Sequence, residues 1–289
     1  MLQNGPMPAT AAWEELGSGV FRLVSEPFRL NVGLIVGEER ALLVDTGASL
    51  ATGRDLISRA RSVTQLPLGA INTHSHFDHC FGNGAFDPGV IWSHRLCAEH
   101  LRWDGLEQQR EAVSRLRSES KAIAQQLAVS PVVSAGCLLE DQAHLDLGGR
   151  TVTLIHPGRG HTDNDIAAWL ADSRLLFAGD LVEEGGAPSF EDSYPLDWPG
   201  SLAVLLAVEP ARLVPGHGAV VEPVFIRQQH ADLERLADLC RQGFMNSRRP
   251  SEMDEETAFP ARTARTAIRR AYSQLASDSS GVWVERQPG

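Results

Sequence analysis

Residues 74–79 read His74-Ser75-His76-Phe77-Asp78-His79, and no other segment constrains the chain as tightly. Three imidazoles and a carboxylate fall within six positions, in a chain holding 10 histidines among 289 residues. Neutral imidazole nitrogen and carboxylate oxygen are the donors that suit a divalent ion such as zinc when one position must stay open for water. A solvated polar loop has no reason to concentrate them. Two such ions need roughly seven protein donors, and this segment supplies four of them.

The flanking sequence indicates how the donors are presented. Leu68-Gly69-Ala70-Ile71-Asn72 reads as a short buried strand running into Thr73 and His74. Cys80 to Phe86, with two glycines, reads as a loop or a frayed helix start. His74 and His76 alternate with Ser75 and so share one side of an extended segment. Asp78 and His79 follow past a bend and address a second position. Three further strand-like runs each end in one donor: Val152 to Ile155 leads through a glycine-rich turn to His161, Ser173 to Gly179 ends on Asp180, and Ala211 to Gly216 ends on His217. Small residues beside each donor permit close backbone approach.

These motifs carry a resemblance. Leu43-Val44-Asp45-Thr46-Gly47, the H-x-H-x-D-H string, Gly160-His161-Thr162, Gly179-Asp180 and Pro215-Gly216-His217-Gly218 resemble, in order, the motifs of the metallo-β-lactamase-fold hydrolases, nearest in donor set to the glyoxalase II-like dinuclear branch. The resemblance implies an α/β fold, a four-layer αββα sandwich with the site at one edge of two sheets. It implies that His74, His76 and His161 hold one metal, that Asp78, His79 and His217 hold the other, and that Asp180 bridges them. Asp45 is then expected behind the ligands, accepting a hydrogen bond from a ligand histidine. Two Zn²⁺ per chain are expected, with Mn²⁺ or Fe²⁺ as substitutes. The domain organisation expected is a metallo-β-lactamase-like domain over 1–225, with a helical insertion at 95–130, and a C-terminal helical extension over 226–289.

Composition sets the outer bounds. With 43% hydrophobic and 22% charged residues the chain reads as an ordinary globule with a sizeable core. A formal net charge of -11 disfavours nucleic acid and anionic lipid as partners. Cys80, Cys97, Cys137 and Cys240 form no C-x-x-C pair and are expected to be reduced. Met1 to Pro8 shows no basic or apolar leader pattern, and no run approaches a membrane span, so a cytoplasmic location is expected. Cys80, next to His79, is read as a buried thiol.

Strands are expected over 19–24, 31–36 and 40–45, with a turn at Gly37-Glu38-Glu39 and a helix from Leu50 to Ser62. Arg95 to Leu127 reads as a helical region longer than a strand connection needs: a lid or pocket wall, or a helical pair packed on the sandwich. A helix from Phe225 to Cys240 presents Ile226, His230, Leu233, Leu236, Ala237 and Cys240 on one face. A last helix is expected near Ala261 to Ala276, with Arg262, Arg265, Arg269, Arg270 and Tyr272 as a solvated face.

The chemistry implied is hydrolysis by a metal-activated hydroxide, with Asp78 orienting the nucleophile and Asp180 fixing the metal spacing. No serine, cysteine or lysine nucleophile stands beside a convincing base. Asp163 and Asp165 read as loop-capping residues or, alternatively, as carboxylates behind the ligands, Glu183 and Glu184 as residues of the pocket mouth or plain surface charge, and the 188–195 loop as a wall of the pocket, with Tyr194 a weak oxyanion donor. His94, His100, His144, His156 and His230 fit no donor position. β-Lactamases of this superfamily lack the bridging Gly-Asp, and nuclease relatives favour a basic surface. The expected substrate is therefore a small-molecule ester, thioester or lactone, the substrate itself staying open. The alternatives are a persulfide-dioxygenase-like enzyme with a single iron, a β-lactam hydrolase, and a non-catalytic metal-binding regulator. Oligomeric state is not legible.

Overall fold

In β4 (Ala41–Val44), Ala41 and Leu43 pack to one side and Leu42 and Val44 to the other, and all four are buried. The same period of two splits β11 (Leu175–Gly179), where Leu175 and Phe177 join one cluster and Leu176 and Ala178 another. Strands buried on both faces need a layer on each side. The computed structural model, which describes residues 12–281, supplies those layers. Met1 to Pro8 and the end of the 226–289 extension lie outside the described residues.

One sheet has seven strands in chain order: β1 (Glu14–Gly17), β2 (Val20–Ser25), β3 (Leu30–Val36), β4, β5 (Leu68–Ile71), β6 (Ile91–His94) and β7 (Cys137–Leu139). The other runs β12 (Arg212–Pro215), β11, β10 (Ala167–Leu170), β9 (Thr151–Ile155), β8 (Gln142–Asp146). Ile35, Leu42, Val44 and Ile71 of the first sheet meet Val152, Leu154, Phe177 and Val214 of the second in a shared core. On the outer face of the first sheet lies α1 (Leu50–Arg61), through Leu56 and Ala60. On the outer face of the second lie α6 (Trp198–Ala207), α7 (Pro223–Met245) and α8 (Ala261–Gly281). The order of layers is helix, sheet, sheet, helix, as expected.

The helical region after β6 is three helices: α3 (Arg95–Trp103), α4 (Gly105–Leu116) and α5 (Lys121–Ala128). The chain breaks at Asp104-Gly105 and again before Ser120, whose hydroxyl caps α5 by accepting from Ile123 N. Their apolar faces enclose Phe77 and Cys80 of the short helix α2 (Phe77–Cys80), which also carries Asp78 and His79. Gln108 Nε2 of α4 donates to Ser75 O at 3.1 Å. These three helices thus back the histidine motif.

Two details of the terminal helices differ from the sequence reading. In α7 it is Gln229, not His230, that is buried, because its amide donates to Leu181 O at 2.9 Å and accepts from Glu183 N. Apolar periodicity does not register a glutamine fully satisfied by buried backbone. In α8, Arg270 and Tyr272 do not belong to a solvated face: Arg270 reaches the carbonyls of Asp192 and Ser193, and Tyr272 packs on the core beside Phe244 and donates to Arg248 O. The four cysteines are unpaired, and Cys80 Sγ donates to Ser75 O and His76 O, away from the imidazoles. No described helix is long and apolar enough to cross a membrane.

Candidate metal centre

Parallel pairing of β4 with β5, and of β11 with β12, places four strand ends at one edge of the sandwich. Asp45 follows β4, His74 follows β5, Asp180 follows β11, and His217 follows β12. The loop after β9 brings His161 to the same edge. Asn31 at the start of β3 ties the sheets together there, its side chain donating to Pro215 O and Gly218 O at 2.8 and 2.9 Å. A Cβ on Gly216 would lie 1.8 Å from Asp180 Oδ1, so only glycine lets this backbone pass the carboxylate.

Three nitrogens converge on one point. His76 Nδ1 lies 3.0 Å from His74 Nε2 and 3.0 Å from His161 Nε2. Beside them, His217 Nε2 is 3.4 Å from Asp78 Oδ2, and His79 Nε2 is 3.9 Å from the same oxygen. Asp180 stands between the groups: Oδ1 is 3.4 Å from His79 Nε2, and Oδ2 is 3.7 Å from both His161 Nε2 and His217 Nε2. His79 Nε2 and Asp180 Oδ1 are buried without a hydrogen-bond partner. Unpartnered buried polar atoms are costly and call for something to satisfy them. A divalent cation would do so, and donor atoms 3–4 Å apart suit ions bound at about 2.0–2.2 Å.

The outward nitrogens are held as well. His79 Nδ1 donates to Asp45 Oδ2 at 2.8 Å, His76 Nε2 to Asp192 Oδ2 at 2.8 Å, and His217 Nδ1 to Phe28 O at 3.1 Å. Thr73 Oγ1 donates to Asp45, which leaves its lone pairs for His74 Nδ1 at 3.1 Å. Asp45 also accepts from Thr73 N, and adopts a left-handed φ of 67° to do so. His161 Nδ1 has no hydrogen-bond partner and lies 3.6 Å from Glu183 Oε1. Each imidazole therefore turns one nitrogen inward, and four of the five have the other engaged, a pairing that sets tautomer and ring orientation.

Burial and mutual repulsion split the histidines. His74 is lowered well below its ordinary value by burial and by His79 and His76, and His161 is lowered by burial to about 4. Burial also opposes the charge on His79 and His217, but the carboxylates prevail, raising His79 well above the usual range and His217 to about 9. Asp180 and Asp78 are lowered in turn, against burial, by His79 and His217. Glu183 is pushed up to about 8 by burial and by Asp180. The pocket balances a concentrated set of opposite charges that a divalent ion would reorganise.

A model of the metallo-beta-lactamase superfamily matches residues 26–217. The chain belongs to that superfamily and is a metal-dependent hydrolase. It is 32% identical to the acyl-coenzyme A thioesterase MBLAC2 of Bos taurus over 197 residues, 60% of this chain and 67% of that protein. The Homo sapiens counterpart is 30% identical over 196 residues, with the same shares covered. The matched segment thus spans about two thirds of these relatives' length. Among solved structures, a metallo-beta-lactamase from Pontibacter korlensis superposes with a TM-score of 0.61 at 19% identity, over 78% of this chain and 99% of that one. At that identity the likeness shows the fold.

The structure brings together all seven residues singled out from the sequence: His74, His76, Asp78, His79, His161, Asp180 and His217. Glu183 faces His161 from inside the pocket. Asp192 was not legible, since it lies 116 residues from His76 on an irregular loop with no periodicity to mark it. Asp165 caps its own loop through Thr162 N and Oγ1, and Asp163 pairs with His100 at 3.0 Å. Tyr194 lies under Arg159, 4.7 Å from guanidinium carbon to ring centroid.

His94 and His156, outside the donor set, stack at 4.1 Å. His94 Nδ1 accepts from Leu96 N at the start of α3. Burial first, then His156 and Arg95, lower His94 to about 4 from 6.5. A histidine with a depressed folded pKa favours the folded state most above its unfolded pKa, and that contribution is lost as pH falls from about 6.5 towards 4. The urea midpoint of the metal-free protein is expected to fall less between pH 7 and pH 5 in His94→Asn, which keeps a capping acceptor. Equal slopes in variant and parent would refute this.

Proposed function

We propose that this pocket binds two divalent ions, zinc by preference, and hydrolyses an acyl thioester of the acyl-coenzyme A class. The observation that carries the metal reading is the convergence of three imidazole nitrogens beside the unpartnered His79 Nε2 and Asp180 Oδ1. His74, His76 and His161 form one donor set; Asp78, His79 and His217 form the other, and Asp180 serves both. Imidazole and carboxylate without thiolate suit zinc and also manganese or ferrous iron. The thioester reading is supported by the acyl-coenzyme A thioesterases among the relatives. A cytoplasmic location and a small-molecule partner belong to the same reading.

When bound, the ions supply a water acidic enough to ionise near neutral pH and a Lewis acid for the carbonyl oxygen. The chain's own residues arrange the rest. His76, His217 and Asp78 are the donors with exposed edges, so substrate approaches over them, whereas His74, His79 and His161 form the closed floor. Asp78 Oδ2, 3.4 Å from His217 Nε2, is placed to orient the attacking water. Asp45, Asp192 and Phe28 O hold protons on the outward nitrogens of His79, His76 and His217, keeping the inward lone pairs free. Net hydrolysis adds water across the C–S bond and yields carboxylate, thiol and a proton.

The test is metal content per chain in protein purified without added metal, with rates on an acyl-coenzyme A, a lactone and a β-lactam. About two zinc or manganese per chain and thioesterase activity that chelation abolishes and zinc restores are expected. One iron per chain with oxygen uptake would replace this reading with the dioxygenase one. A β-lactam turned over faster than the thioester would move the substrate assignment to the activity for which a type 2 metallo-beta-lactamase of Bacillus sp. (strain 170), 26% identical over 65% of this chain, is named.

A further inference from the structure

The loop between β11 and α6 carries Asp192, whose carboxylate takes the outward proton of His76. It lacks regular structure from 183 to 193, so the carboxylate is only as well placed as the backbone beneath it. That backbone is gripped from α8. Arg270 Nη2 donates to Asp192 O at 2.9 Å and Nε to Ser193 O at 3.1 Å. One turn on, Gln274 Oε1 accepts from Leu196 N at 3.2 Å and its amide donates to Asp197 Oδ2. The loop's apolar end is held by the same region: Phe190 stacks edge-on against Phe259 at 5.4 Å and against Trp198 at 5.5 Å. Trp198 in turn lies edge-on to His161 at 5.8 Å. Helix α8 is itself seated by buried Ala264, Ala267, Ile268 and Ala271. The superfamily match ends at residue 217, so this grip comes from outside the matched region.

We infer that Arg270 is a positioning residue for the metal centre, with the C-terminal helix orienting His76 through the Asp192 loop. The inference rests on His76 being a metal donor, as proposed above. A guanidinium is suited to the task because its planar fork addresses two adjacent carbonyls from one rigid group, which an ammonium cannot do with the same geometry. Carboxylates behind ligand histidines change metal affinity by about 10–100-fold when removed. Arg270 acts one step further back, so its loss is felt only through Asp192.

The experiment is a titration of zinc-loaded full-length protein with a competing chelator, recording zinc retained per chain for the parent, Asp192→Asn, Arg270→Ala, Arg270→Lys, the double variant, Tyr272→Phe and His76→Ala. Asp192→Asn and Arg270→Ala are each expected to weaken one zinc by about tenfold or more. The double variant is expected to be no weaker than Asp192→Asn, and Arg270→Lys intermediate. Tyr272→Phe removes a different α8 hydrogen bond, to Arg248 O, and is expected to retain zinc like the parent. If Arg270→Ala does not fold, Arg270→Lys with parental affinity overturns the inference. Parental affinity in Arg270→Ala, or full additivity with Asp192→Asn, does the same. His76→Ala retaining both zincs at parental affinity would instead overturn the donor assignment beneath it.

Discussion

Exchanging Asp180 for asparagine is expected to lower kcat/KM on a thioester by about a thousandfold, ~4 kcal/mol of transition-state stabilisation, and to leave one tightly held ion instead of two. The carboxylate faces both halves of the pocket, with Oδ1 3.4 Å from His79 Nε2 and Oδ2 3.7 Å from His161 Nε2 and from His217 Nε2. An amide keeps the shape but offers one oxygen and no charge. Its NH₂ would also turn protons towards a site built from inward lone pairs. Gly216 allows no alternative position, because a backbone is already in contact on that side. Metal analysis and steady-state kinetics on the same sample check the two halves together. A variant with both ions and a rate within tenfold of the parent would remove Asp180 from its central place.

The second large effect is on stability. Trp198→Ala is expected to cost about 3–5 kcal/mol, the range for deleting a large buried aromatic. Trp198 is fully buried, donates from Nε1 to Leu181 O at 3.0 Å, and packs edge-on to Phe190 and His161. Its removal leaves a cavity and takes away one of the two hydrogen bonds to Leu181 O, the other coming from Gln229 Nε2. Urea unfolding of the metal-free protein gives the relevant number, because bound metal would mask part of the loss by mass action. A cost under about 1 kcal/mol would mean that the site collapses around the gap.

The donor constellation was legible because it obeys local rules: strand periodicity delivers a residue to a strand end, and glycines mark close approach. That suffices for His74, Asp180 and His217, each within three residues of the end of an apolar strand. The layering was legible only through the family resemblance; the apolar pattern of β4 and β11, buried on both faces, agrees with it. Asp192 and Arg270 obey no such rule. Their roles come from contacts 116 and 78 residues apart in sequence, on a loop and a helix whose placement depends on the whole outer layer. Gln229 carries no such signal either, because a glutamine is buried through carbonyl partners and not through hydropathy. The three-way break of the 95–128 region turned on one Asp-Gly step and one serine cap, signals too weak to separate from continuous helix.

Asn31, fastened to Pro215 O and Gly218 O across the gap between the sheets, gives the site a dependence of its own. Asp78 and His79 arrive from one sheet, Asp180 and His217 from the other. The pocket is therefore a seam, and anything bound in it draws the two sheets together as a clasp does. A fluctuation that parts the sandwich at this edge takes the donors apart while the core between Ile35 and Phe177 is still closed. On warming, activity is therefore expected to fall at a lower temperature than the near-ultraviolet circular dichroism of the fold, and added zinc to narrow that gap; coincident losses would mean that the edge does not open first.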